Sequence, residues 1–330
     1  MRVIARILAT LWIFTLVGHA NGQPWQNART SAGPMEAVAT YANGMNPTAI
    51  MVVQDGKVIA NWGNVSRKVN IASVRKSLLS ALFGTAISDG RINLDSTLAE
   101  LRIDDRPPPL TDAEKQATVR DLLMARSGIY HPAAHETADI RQNRPERGSH
   151  APGSFWFYNN WDFNALGTIY RQRTGEDIFR SFAQHIAVPT GMEDFSAADG
   201  RYSVETSSIH PAYPFRMSAR DLARFGQLFL NDGRWDGKQV IPASWVREST
   251  TAYSNTNQEG MGYGYLWWTL NPQVFGPGAA QASGYGGQHV AVIPSKRLVV
   301  VQVVDRTQNP KRARTGHFVD FLRQLVAAAP

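Results

Sequence analysis

The chain has 330 residues, 43% of them hydrophobic and 18% charged. This is a globular balance with enough apolar material for one large core or two smaller ones, and it excludes a chiefly disordered protein. With no cysteine, disulfides, thiolate metal ligands, a lipidated N-terminal cysteine and a Cys nucleophile are all excluded, and the modest formal charge of +7 gives no electrostatic case for nucleic-acid binding.

The N-terminus begins with Arg2 and Arg6, continues through an apolar run from Ile7 to Val17 and reaches small residues at Gly18, Ala20 and Gly22. That order reads as a signal peptide over residues 1–22. A membrane anchor is the alternative, but Ile7 to Val17 is too short for a helix crossing about 30 Å of hydrocarbon. The mature chain is therefore expected outside the cytoplasm, secreted or periplasmic, without stable membrane insertion.

A polar stretch around Gln23 to Gly33 leads to a short helix near Met35–Tyr41 and two β-rich runs, Thr48–Val53 and Lys57–Trp62, joined by the hairpin turn Asp55-Gly56. Helical apolar spacing then recurs over Ser73–Ser88, Thr118–Ala125, Trp161–Arg173, Ile178–His185, Ser218–Asn231 and Pro242–Ser249, with capping residues such as Ser218. Between them, Tyr130 to Pro152 reads as a long loop. Strands return at Gly264–Thr269, Gln281–Ser283, His289–Ile293 and Leu298–Val304, and a helix over Thr315–Ala328 closes the chain. Its basic start, Lys311, Arg312 and Arg314, has no interleaved aromatics and reads as a solvated helix end. The expected fold is α/β (α+β), with one antiparallel sheet built from both chain ends, 34–72 and 256–330, and a mostly helical part, 73–255, inserted.

Three segments carry chemistry. Ser73-Val74-Arg75-Lys76 opens a helix whose buried face would be Val74, Leu78, Leu79, Leu82 and Ala86. A serine and a lysine three residues apart share a helical face, and a desolvated lysine can accept the serine's proton. Alone, Ser73 reads equally as an N-cap, although the cation three residues on opposes the helix dipole. Tyr158-Asn159-Asn160 follows Pro152-Gly153; Tyr158 could shuttle a proton and Asn160 could orient the lysine and a substrate carbonyl, or the aromatics could be core with Asn160 capping the next helix. Ala282-Ser283-Gly284-Tyr285-Gly286-Gly287-Gln288 ends a strand in a glycine-rich bend. There the Tyr285 N–H could join that of Ser73 in an oxyanion hole, or the segment could be a tight hairpin.

In this order the three resemble the Ser-x-x-Lys, Tyr-x-Asn and Lys-Thr-Gly elements of serine β-lactamases and penicillin-binding proteins, in the class C-like branch whose second element begins with Tyr. The resemblance extends over Thr118–Leu123 with Ser127-Gly128, Ser218–Leu222, Gly262–Trp268 and Gly286-Gly287-Gln288. It implies a β-lactamase/transpeptidase-like fold with the site between its α/β and helical parts, and an acyl-enzyme on Ser73. Lys76 and Tyr158 would share the base and acid roles, with substrate contacts from Ser283, Gly284, Tyr285, Asn160 and Trp156. It implies no cofactor and no metal. No class A-type Glu-x-x-Leu-Asn element is present, so water activation falls to Tyr158 and Lys76.

The third element departs from the pattern: Ala282 stands where Lys or His is usual, so a cation for a substrate carboxylate is missing unless Arg75, Arg144 or another loop cation replaces it. Relatives resembling 6-aminohexanoate-dimer hydrolase tolerate this change. The expected partner is a small ester or amide, the alternatives being D-amino-acid peptides, β-lactams or, for a protein of another class, mute cell-wall sensing. Tyr130, His131, His135, His150, Trp161 and Asp162 are further candidates for lining the pocket.

Overall fold

A computed structural model of the protein describes residues 32–256, 258, 260–309 and 315–328. The segment read as a signal peptide and the Lys311–Arg314 cluster lie outside the described residues. The strands are β1 (Ala49–Gln54), β2 (Lys57–Gly63), β3 (Val69–Asn70), β4 (Arg216–Met217), β5 (Arg234–Trp235), β6 (Lys238–Gln239), β7 (Ser254–Asn255), β8 (Gly262–Tyr263), β9 (Trp268–Thr269), β10 (Ala280–Gly284), β11 (Gln288–Ile293) and β12 (Leu298–Val303). Eight form one antiparallel sheet in the order β2-β1-β12-β11-β10-β9-β8-β7, so both ends of the chain meet where β1 pairs with β12. Asp55 and Gly56, with φ of 50° and 75°, make the two-residue β1–β2 turn that this dipeptide favours.

The central strands β1, β11 and β12 are buried on both faces, and period-two alternation sorts their residues between them. Ile50 and Val52 of β1 and Val300 of β12 face helices α1 (Ala32–Met45) and α11 (Thr315–Ala328), meeting Val38, Phe318 and Leu322. Met51 and Val53, with Val299 and Val301, join the larger cluster on the other face. That cluster is reached by α2 (Val74–Ser88), α3 (Leu98–Leu101), α4 (Val119–Leu123), α6 (Asn160–Thr174), α7 (Ile178–Phe182), α8 (Ala219–Leu230) and α9 (Ala243–Ser249), while α5 (Ala138–Gln142) lies in the long loop and α10 (Pro272–Phe275) packs near α11. Capping hydrogen bonds from Thr118 and Ser218 fix the starts of α4 and α8.

Two local expectations are corrected. Gly264–Thr269 is not one strand: β8 and β9 are joined by a tight turn in which Leu266 takes φ 65°. Helix α2 has no solvent face from Val74 to Gly84 either. Arg75, Lys76, Ser77 and Ser80 are buried along with the apolar set, and the Ser77 and Ser80 hydroxyls donate to the carbonyls of Leu266 and Tyr265 at 2.7 Å each. It is a helix enclosed on all sides, held through polar contacts that amphipathic periodicity does not register.

Gly226 of α8 lies directly on the sheet, where an added Cβ would meet Val299 Cγ1 at 2.5 Å and Val290 Cγ1 at 3.1 Å. Gly226→Ala gains up to about 1 kcal/mol of helix propensity, but overpacking against two β-branched side chains costs typically 1–3 kcal/mol. A lowered urea midpoint is expected; an unchanged or raised midpoint contradicts this packing.

Candidate active site

Strand β3 delivers Ser73 through a constrained turn. Asn70 pairs with Arg216 of β4, and its Oδ1 accepts from the Ala72 N–H at 2.9 Å. Ala72 then takes φ 47°, a left-handed conformation that a Cβ makes unfavourable. Ser73 occupies the N-cap position of α2, yet its hydroxyl makes no capping hydrogen bond. Lys76 Nζ lies 3.0 Å from Ser73 Oγ instead, so the cap reading holds for the backbone position alone.

Lys76 is 2% exposed. Its Nζ lies 2.7 Å from Tyr158 Oη and 2.9 Å from Asn160 Oδ1, and it sits 4.2 and 4.4 Å from the ring centroids of Tyr158 and Phe163. Burial, reinforced by the positive charge of Arg75, holds its pKa well below the ordinary 10.5. A neutral amine has two N–H donors and one lone pair. The amide oxygen of Asn160 can only accept, so it takes a donor and leaves the lone pair available to the Ser73 or Tyr158 hydroxyl. This arrangement can accept a proton from Ser73.

Asn159, not Asn160, caps α6: its side chain accepts from the Trp161 N–H at 3.2 Å. Asn160 is thereby free to face inward, its Nδ2 donating to the His135 carbonyl at 2.7 Å while its Oδ1 faces Lys76. Tyr158 is fixed by stacking on Trp268 with centroids 5.5 Å apart. Burial pushes its hydroxyl up to about 12, with Ser73 and Arg75 opposing the rise, so it is a neutral hydroxyl near pH 7, suited to relaying a proton. Trp156 packs edge-on to Trp268 at 5.8 Å and supports this aromatic wall.

The third segment meets Ser73 through its backbone. Gly284 ends β10 so close to α2 that an added Cβ would lie 2.5 Å from the Ile71 carbonyl oxygen and 3.1 Å from the Ser73 nitrogen. Tyr285 follows, 40% exposed, with the Arg306 guanidinium 4.6 Å from its ring centroid. Ala282 is fully buried in the core cluster shared with α2. Ser283 is not brought to the Ser73 hydroxyl: alternation along β10 turns its Oγ to within 3.2 Å of His289 Nδ1, and His289 stacks on Phe318 of α11.

Of the further candidates, Trp161 and Asp162 are fully buried and His131 is 6% exposed, so none lines an open pocket. Trp161 Nε1 donates to Asp105 at 2.6 Å. His150 stacks on Phe155 at 4.0 Å and Arg144 pairs with Glu136. His135 does approach the site through its carbonyl. Phe163, Trp268 and Arg306 were missed by the sequence reading; no motif marks them, because each arrives by packing from a different element. Among the described residues no group of acidic or histidine side chains is arranged to hold a metal ion, and no helix is long and apolar enough to cross a membrane.

An antiparallel sheet flanked by helices, with a Ser–Lys pair opening the helix lodged beside its β10 strand, is the β-lactamase/transpeptidase-like arrangement, and the class it defines is that of serine hydrolases of this fold. The particular family follows from the sequence: the β-lactamase family profile matches residues 36–324, and the chain belongs to that family. The fold superposes on a Bacillus anthracis protein described as a 6-aminohexanoate-dimer hydrolase with a TM-score of 0.72, at 19% identity over 94% of this chain and 88% of that one. It superposes on a β-lactamase/D-alanine carboxypeptidase of Pseudomonas syringae with a TM-score of 0.64, at 17% identity over 89% and 98%. In sequence, a D-aminopeptidase of Brucella anthropi is 25% identical over 171 residues, the match covering 44% of this chain and 31% of that enzyme.

Asp162, beneath the Tyr158 segment, accepts from Ser127 Oγ at 2.5 Å and Asn159 Nδ2 at 2.9 Å, but its other oxygen has no partner among the described residues and burial pushes its pKa well above 3.8. The folded protein therefore keeps a proton that the unfolded chain releases. The stability this group contributes is full below the unfolded pKa near 3.8 and is lost as pH rises through the folded value. Asp162→Asn removes that dependence, so its stability relative to wild type should rise between pH 4 and 8. A pH-independent difference in chemical denaturation contradicts a neutral Asp162.

Proposed function

We propose that the protein is an exported serine hydrolase that cleaves small esters or amides through an acyl-enzyme on Ser73. The observation that carries the reading is the single cluster in which one buried amine meets Ser73 Oγ, Tyr158 Oη and Asn160 Oδ1. Ser73 Oγ attacks the substrate carbonyl and its proton passes to neutral Lys76, directly or across the Tyr158 hydroxyl. The amides of Ser73 and Tyr285 stabilise the oxyanion. The leaving group departs with a proton returned through Tyr158, and water activated by the same pair then hydrolyses the acyl-enzyme. An intact proton-transfer cluster supports this reading over a mute sensor of cell-wall fragments.

Ala282 directs the substrate choice. A charge-assisted contact of the kind a third-element cation would supply is worth roughly 1.5–3 kcal/mol, about one to two powers of ten in selectivity. Short esters and amides are accordingly favoured over β-lactams that need a carboxylate anchored at that place. Cleavage of D-amino-acid amides is the second reading, supported by the partial likeness to a D-aminopeptidase. Action outside the cytoplasm rests on the signal-like residues 1–22.

The test compares p-nitrophenyl butyrate with nitrocefin and maps the covalent adduct by peptide mass spectrometry. The expected result is a higher kcat/KM for the ester and an acyl or fluorophosphonate adduct on Ser73. Tyr158→Phe should lose about 10²–10⁴-fold in turnover, non-additively with Lys76→Ala. An adduct elsewhere, or folded Tyr158→Phe with wild-type turnover, overturns the mechanism; a higher kcat/KM for nitrocefin overturns the substrate preference.

A further inference from the structure

A cleft of about 320 Å³ opens beside the Ser73 site, lined by Asn70, His135, Asp199, Arg201 and Arg216 among others. It is tied to the site at two points. Asn70 receives the Ala72 N–H immediately before Ser73, and the His135 carbonyl receives Asn160, which holds Lys76. Asn70 stands three residues before Ser73, so along the chain this wall of the cleft lies within about 10 Å of the Ser73 backbone.

The charge there is one-sided. Asp199 is neutralised by Lys68 at 2.7 Å, and Glu205 accepts the His135 N–H at 3.0 Å. Against these two carboxylates stand Lys68, Arg201, Arg216 and, close enough for its charge to act on His135, Arg75. Arg201 and Arg216 form no ion pair among the described residues; Arg216 donates to the Lys68 carbonyl at 3.1 Å. Arg75 is 3% exposed; among the described residues it bonds only the neutral Asn164 oxygen, at 3.3 Å, lies 4.8 Å over the Tyr213 ring and has a buried Nε without a partner. A buried guanidinium with no carboxylate is costly, and its field adds to that of the two exposed arginines. The His135 ring registers it: burial first, then the Arg75 charge, holds its pKa below the usual histidine value, with Glu205 opposing.

We propose that this cleft is a subsite for an anionic group on the substrate, with Arg201 and Arg216 binding a carboxylate at the far end of the acyl chain. The cation absent at Ala282 is thus replaced at a different place, and the substrate class narrows to half-esters and half-amides of dicarboxylic acids. Guanidinium forks suit carboxylates, and a flexible chain of several carbons bridges the cleft and Ser73. This rests on the hydrolase reading given above for Ser73.

The experiment compares p-nitrophenyl half-esters of glutarate, adipate and suberate with neutral p-nitrophenyl esters of matching length, corrected for spontaneous hydrolysis. The expected wild-type result is a higher kcat/KM for at least one half-ester than for its neutral counterpart. That ratio should fall about tenfold in Arg201→Gln/Arg216→Gln, mainly through KM, and should largely recover in Arg201→Lys/Arg216→Lys. Equal ratios in wild type and the Gln variant overturn the subsite and leave the hydrolase reading standing. A second readout separates the two claims: adipate should raise the thermal midpoint of Ser73→Ala protein and lose that effect when both arginines are also replaced by Gln. Stabilisation by adipate without turnover of any ester would support the subsite and refute the hydrolase reading; no stabilisation together with no ester preference refutes the subsite.

Discussion

The rest of the site depends on one constraint: the amine of Lys76 is enclosed with no carboxylate to pair with among the described residues. Taking a charged ammonium out of water costs several kcal/mol even after relaxation, and here the neighbouring cation is Arg75 rather than an anion. Burial therefore shifts the amine towards its neutral form, and a neutral amine beside a serine hydroxyl can act as a base. Enclosure needs a helix with no exposed side, which explains why α2 is held by Ser77 and Ser80 on the β8–β9 turn. It also needs a rigid polar partner, and Asn160, braced by the His135 carbonyl, supplies one that cannot neutralise a charge.

Tyr158 belongs to the same arrangement. Its ring closes over Lys76 and its own hydroxyl is driven away from ionisation by burial, so the phenol is suited to relaying a proton and the amine to accepting one. Stacking on Trp268 and contact with Phe163 fix the ring, which gives the aromatic residues around the site a positional role beyond their apolar area. Charge elsewhere is distributed to fit: the third segment offers Ala282, backbone amides and the Arg306 guanidinium over the Tyr285 ring, whereas Arg201 and Arg216, without an ion pair among the described residues, line the cleft beside Asn70.

Much of this was legible from residue types alone. Asp55-Gly56 announces a two-residue hairpin, Thr118 and Ser218 announce caps, and Ser73, Lys76, Tyr158 and Asn160 stand in an order whose chemistry is specific once they are taken together. What was not legible follows from properties that a linear pattern lacks. The direction of Ser283 is set by the pairing of β10 with β11, since alternation by one residue exchanges the two faces of the sheet. The polar residues of α2 mark a solvent face in any periodicity argument, yet their partners come from residues nearly 190 positions away. The bend at Leu266 occurs without the glycine that usually marks a positive φ, so β8 and β9 read as one strand. Trp161 reads as a pocket wall beside Tyr158, but the helix rotates it inward to Asp105.

The most direct measurement of the central claim is the titration of Lys76 itself. In protein labelled with carbon-13 at lysine Cε, with the signal assigned by its loss in Lys76→Arg, the resonance should titrate well below the ordinary 10.5, and the transition should move upward when Asn160→Asp places a negative charge beside the amine. A Lys76 signal that titrates with the exposed lysines, near the ordinary value, would contradict a neutral base at this site.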